Sequence, residues 1–169
     1  NVTLQKRFFA QFLMGRKNGW EKQPKVLLQV RHPGEKFVAR SENGWPLKRT
    51  KWTKLYLDPQ GMRLSPRPVK SAGSVTYDGL GGGVTFSTPS LEKTTEITGP
   101  IALKLWISSS TADADIFAVL RVFDPAGKEV VFQGALDPHT PVAQGWLRAS
   151  QRKLDKKLSR PYRDRKSVV

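Results

Sequence analysis

The chain has no cysteine among its 169 residues, only two histidines, two methionines, and 14 acidic residues against 29 basic ones. Without cysteine there is no disulfide framework, thiolate zinc site, iron–sulfur cluster or cysteine nucleophile. The lack also fits a reducing compartment, so a cytoplasmic location is favoured over the others. No run of about 18 apolar residues occurs, so no membrane-spanning helix is expected. The first residues lack the charged-then-apolar layout of a signal peptide. No Gly-x-Ser-x-Gly elbow is present, and neither His32 nor His139 lies near one. His32 follows a candidate strand in Arg31-His32-Pro33-Gly34, and His139 sits between two prolines in Asp137-Pro138-His139-Thr140-Pro141. A serine nucleophile needs a histidine base and an orienting carboxylate, so the expected list of catalytic residues is empty.

What is abundant is positive charge, proline and glycine. The formal net charge is +15, which raises a nucleic-acid reading. It is unevenly placed: residues 1–70 carry +12, residues 71–145 carry −4 and residues 146–169 carry +7. Basic flanks around a mildly acidic centre read more simply as solvated surface, so a nucleic-acid partner is the weakest alternative. Twelve prolines and fourteen glycines spread along the chain predict short elements and many turns. That pattern favours an all-β fold.

The stretch Leu4–Met14 predicts a short amphipathic helix with Leu4, Phe8 and Phe12 on one face, closed at Gly15. From residue 25 the apolar period becomes two. Candidate strands are Val26–Val30, Lys54–Leu57, Ser74–Tyr77, Val84–Ser87, Ile101–Ser108, Asp115–Phe123 and Glu129–Gln133. Ile116–Phe123 is apolar on nearly both faces, as in a central strand, and Asp124-Pro125-Ala126-Gly127-Lys128 is the turn that follows. Strands at this spacing indicate a sandwich or barrel. The division is a helical linker over 1–24, a β-sandwich over 25–151 and a basic C-terminal tail over 152–169.

Two constellations carry candidate chemistry. Trp45, Trp52 and Trp146 are candidate stacking residues for a sugar or another extended ligand, and Trp45 and Trp52 bracket a basic run. Covering a sandwich edge is the structural alternative. Asp113 and Asp115, after Ser108-Ser109-Ser110-Thr111, offer either a hard-cation site or turn hydrogen bonds. The twelve-residue calcium loop is absent, so no metal ligand is assigned. Leu80-Gly81-Gly82-Gly83-Val84 lacks the Lys-Ser/Thr and helix start of a phosphate cradle and reads as a turn.

Several phrases resemble one enzyme family: Trp45-Pro46-Leu47, Lys51–Leu57, Ser74–Asp78, Thr98-Gly99-Pro100-Ile101, Ser108–Asp115, Asp124-Pro125-Ala126-Gly127 and Gly145–Ser150. The chain from about Phe8 to about Tyr162 is similar to the C-terminal module of the CocE/NonD-type hydrolases. These include X-prolyl dipeptidyl-peptidases, cocaine esterase and α-amino-acid ester hydrolases. The resemblance implies a galactose-binding-like jelly-roll β-sandwich and a helical link from an α/β-hydrolase domain of the same parent protein. That domain is the expected partner and carries the Ser–Asp–His triad, of which no position falls on this sequence. The module would be non-catalytic, shaping the active-site cleft or supporting assembly, with a homo-oligomer as a further partner. No cofactor and no membrane partner are implied. Relatives continue with further strands beyond the point matching Tyr162, so the sandwich is expected to lack its last strands. A free-standing ligand-binding sandwich that uses the surface Trp residues is the alternative.

Overall fold

A computed structural model describes residues 2–159; the end of the basic tail, 160–169, and the far limit of the resemblance at Tyr162 lie outside them. Helix α1, Val2–Phe12, comes first and is followed by a 3-10 turn, Trp20–Lys22. Phe8 and Phe12 form the expected aromatic face. Both pack edge-on against Trp20, with ring centroids 5.3 and 6.3 Å away. Gly15 takes φ 63°, and the Arg16 N–H donates back to Ala10 O at 2.9 Å, a six-residue closure that a left-handed residue permits. Asn18 Nδ2 donates to Arg7 O at 2.7 Å, which ties the loop to the helix.

Apart from a 3-10 turn at Ala149–Gln151, the rest of the described residues are strand, turn and coil. β1, Val26–His32, turns through Pro33–Glu35 and pairs antiparallel with β2, Lys36–Glu42, from Val26↔Glu42 to His32↔Lys36. Gly34 and Glu35 both have positive φ there, as a tight hairpin requires. β3, Tyr56–Asp58, pairs with β4, Arg63–Ser65, and Ser87 adds a parallel bridge to Arg63. β5, Asp115–Leu120, pairs with β6, Ala143–Arg148, in the register Phe117↔Trp146. The architecture is therefore all-β with one N-terminal helix, and its ladders are antiparallel.

The expected Asp124–Lys128 turn is present. Asp124 Oδ1 accepts from the N–H groups of Ala126 and Lys128, each at 2.9 Å, and Gly127 sits at φ 79°. Bridges Phe123↔Glu129 and Phe132↔Thr140 extend this corner. Several expectations change, and Glu129–Gln133 contributes these two isolated bridges rather than a strand. Ser74–Tyr77 and Ile101–Ser108 join no ladder among the described residues, and Val84–Ser87 contributes only the Ser87 bridge. Among the described residues β5 has one ladder partner, β6, rather than the two of a central strand. Alternation marks which residues favour extended backbone, but a ladder needs a second strand within hydrogen-bonding distance.

The core is small. Among the described residues, Leu47, Val130 and Phe132 are its buried apolar side chains. Phe132 faces Phe37 at 6.3 Å and carries the Arg31 guanidinium over its ring at 4.9 Å. The Gln133 N–H donates to Glu35 Oε1 at 2.6 Å, which holds the β1–β2 hairpin tip against this corner. The chain exposes 15169 Å², whereas a closed monomer of 19.0 kDa would expose about 8,400 Å². Among the described residues no helix is long and apolar enough to cross a membrane.

Candidate functional site

The β5–β6 ribbon gathers most of the residues singled out above. Side chains alternate along β5, so Asp115, Phe117 and Val119 are exposed while Ile116, Ala118 and Leu120 are half-buried. The antiparallel register sets Arg148, Trp146 and Gln144 opposite the first three. The exposed face thus reads as an ion pair, an aromatic pair and an aliphatic–amide pair in successive rungs. Phe117 is 74% and Trp146 73% exposed, which makes this the most prominent aromatic surface of the ribbon. Phe117 is not among the candidates the sequence offers. The period-two pattern places it beside Asp115, but nothing local announces that Trp146 stands across from it.

Asp113 and Asp115 both use their oxygens within the chain. Asp113 accepts from Ser150 Oγ at 2.6 Å, from Ser150 N–H at 3.0 Å and from Ala114 N–H at 2.9 Å. The Ser150 hydroxyl, then the Ala114 amide, hold its carboxyl below the usual range. Asp115 forms a fork with Arg148, Nε to Oδ1 at 2.8 Å and Nη2 to Oδ2 at 2.9 Å. Arg148 lowers the Asp115 pKa and its own is raised in return. The two carboxylates lash the start of β5 to the end of β6. No group of three or more His, Cys, Asp or Glu placed to hold a metal ion occurs among the described residues.

The three Trp candidates stand on different parts of the chain. Trp45 is half-buried at a cis peptide to Pro46, Trp52 is 56% exposed on the same connection, and Trp146 lies on β6. No ring pair joins Trp45 to Trp146 among the described residues. His32 ends β1 at the hairpin. The His139 N–H donates to Asp137 Oδ1 at 2.8 Å, so that carboxylate caps its own loop.

A charged cluster escapes sequence reading altogether. Arg40 on β2 forks onto Glu96, both bonds at 2.9 Å, and Thr98 Oγ1 donates to Glu96 Oε1 at 2.7 Å. Arg40 Nε lies 3.0 Å from Glu42 Oε1, close enough for an ion pair though not aligned as a hydrogen bond. Arg49 forks onto the same Glu42. Four charges from three separated segments therefore brace β2 against the 96–98 segment. Arg40, then Thr98, pull the Glu96 carboxyl from 4.5 down to about 2. A depressed carboxyl stabilises the fold above its unfolded pKa and loses that contribution as pH falls through its folded value. Urea titrations of the native chain should therefore lose stability between pH 4.5 and about 2, and Glu96→Gln should flatten that limb. Because the cluster faces solvent, the effect is small and shrinks with added salt.

With this geometry in place, three comparisons with known proteins bear on the chain. A family model described as the X-Pro dipeptidyl-peptidase C-terminal non-catalytic domain matches residues 18–163. Two crystal structures of a CocE/NonD family hydrolase from Staphylococcus aureus are similar in fold. The first has a TM-score of 0.75 at 26% identity and covers 100% of this chain and 31% of that chain. The second has a TM-score of 0.74 at 25% identity and covers 99% of this chain and 32% of that one. The chain thus spans about a third of the length of that hydrolase. No curated protein matches the sequence.

Proposed function

The chain belongs to the family of X-Pro dipeptidyl-peptidase C-terminal non-catalytic domains, and from that premise we propose that it completes a larger serine hydrolase. In this reading it walls the active-site cleft and supports assembly, while acyl transfer to water is done by an α/β-hydrolase domain of the same parent protein. X-Pro peptides or acyl esters are the proposed substrate class of that parent.

The observation that carries the reading is the open surface. With 15169 Å² exposed and three buried apolar side chains among the described residues, the domain leaves much apolar area for another body to cover. Exposed apolar patches beyond a few hundred Å² mark such interfaces. The α1 segment supports the reading independently. It precedes the family match, which begins at residue 18, and packs on the Trp20–Lys22 turn. We assign residues 1–24 as the link to the catalytic domain, with Val2, Phe9, Leu13 and Met14 exposed on it.

The test uses the purified chain, a chromogenic ester and an X-Pro anilide. No turnover is expected with either. Turnover that a serine-directed reagent abolishes would overturn the non-catalytic assignment. A second reading, ligand binding by surface aromatics, is supported by the exposed Phe117–Trp146 pair. Glycan-dependent changes in tryptophan fluorescence that disappear in Trp146→Ala are its expected signature, and silence across a broad glycan panel counts against it.

A further inference from the structure

The phrase Asn-Gly-Trp stands twice in the chain, at Asn18-Gly19-Trp20 and at Asn43-Gly44-Trp45. Asparagine before glycine loses its side-chain amide most readily, because no side chain shields the glycine nitrogen from the carboxamide carbon. The fold treats the two copies differently. Asn18 is half-buried and held at three atoms. Its Nδ2 donates to Arg7 O at 2.7 Å, its backbone N–H donates to Gln11 Oε1 at 3.3 Å, and its carbonyl accepts from Arg7 Nη2 at 3.3 Å. Its Oδ1 is out of reach of water. Asn43, by contrast, is exposed and lies one residue past the end of the β1–β2 ladder at Val26↔Glu42. Among the described residues, neither its side chain nor the Gly44 N–H makes a hydrogen bond. A Cβ placed on Gly44 would meet nothing within 4 Å, so the backbone there has room to turn.

We propose that Asn43 is a deamidation and isoaspartate site of the folded chain, and that the fold protects Asn18 from the same reaction. The Gly44 amide nitrogen gives up its proton and bonds to Asn43 Cγ, and the Cγ–Nδ2 bond breaks with ammonia as the leaving group. Water then opens the cyclic imide at either carbonyl. Addition at Cγ gives aspartate. Addition at the backbone carbonyl gives isoaspartate, in which the main chain runs through Cβ and Cγ. Either product places a new carboxylate beside Glu42, which already serves Arg40 and Arg49. The isoaspartyl form also lengthens by a carbon the short link between β2 and the buried Leu47. Asn18 must first give up its hydrogen bonds, which slows the same step about tenfold or more. The inference goes beyond the proposed hydrolase role and does not depend on it.

Trypsin separates the two sites into the peptides 18–22 and 41–48. The native chain is aged in warm, mildly alkaline buffer, and both peptides are followed by mass and by methylation with an isoaspartyl methyltransferase. Peptide 41–48 should gain the mass of amide-to-acid conversion and become a methyl acceptor, about tenfold or more faster than 18–22. In urea the two should convert at similar rates, since the difference lies in the fold. Gly44→Ala, at a position with space for the added carbon, should slow the reaction at Asn43 without disturbing the fold. Gln11→Ala should speed the reaction at Asn18, because it removes one of the bonds that hold it. Equal rates at the two sites in the native chain overturn the proposal. So does faster conversion at Asn18 than at Asn43, or a difference between them that persists unchanged in urea.

Discussion

Phe132→Ala is expected to cost about 3 kcal/mol or more, the usual penalty for emptying a buried aromatic site. Phe132 is 4% exposed, the most buried of the three core side chains, and sits where three parts of the chain meet. Its own segment bridges Thr140, its ring faces Phe37 on β2, and Arg31 on β1 lies over it. Truncation removes the apolar floor on which the Arg31 guanidinium rests, as well as the contact with Phe37. The collapse of this corner should also release the hairpin tip, since the Gln133–Glu35 bond is made by the neighbouring residue. In a domain with so small a core, a loss of this size is a large fraction of the total stability. Urea unfolding monitored by tryptophan fluorescence should show the midpoint fall sharply, or the native baseline vanish. A midpoint shift under about 1 kcal/mol would mean that the corner does not hold the fold together.

Trp20→Ala is expected to melt α1 while leaving the strands in place. An isolated helix of 11 residues is marginal in water, because nucleation costs more than so few hydrogen bonds return. α1 has no acidic residue in its first turn and no basic residue in its last turn to offset that cost. Its stability rests on the Phe8–Trp20 and Phe12–Trp20 edge contacts, each worth about 0.5–1.5 kcal/mol beyond area burial. The far-ultraviolet signal at 222 nm should lose its helical part in Trp20→Ala, and amide exchange over Val2–Phe12 should become fast. Protection over β1 and β2 should persist, because α1 and the strands unfold as separate local units. Retained helical protection would show that Phe8, Phe9 and Phe12 suffice among themselves.

The two variants probe features that were legible to different degrees. The aromatic stripe of α1, its closure at Gly15 and the turn at Asp124–Lys128 all depend on residues within six positions of each other, so the sequence displays them directly. β2 and β6 were hidden. Lys36–Glu42 and Ala143–Arg148 mix charged, small and polar side chains, and they become strands because a partner offers them a ladder. Ile101–Ser108 shows the reverse, with strong alternation and no ladder partner among the described residues. The hidden part of the candidate site has the same origin. Phe117 and Trp146, like Arg40 and Glu96, are 29 and 56 positions apart, and no local pattern links them.

By itself, then, the sequence determined the class of the protein. Its composition predicts short strands and turns, and its phrases resemble the family that the comparison bears out. Only the tertiary structure decided which strands pair, that Asp113 and Asp115 are spent on Ser150 and Arg148, and that the aromatic face of β5–β6 stands open. The physical reason is range. Alternation, caps and turns are written in neighbouring residues, whereas a ladder, an ion-pair fork or an uncovered face exists only once distant segments have met.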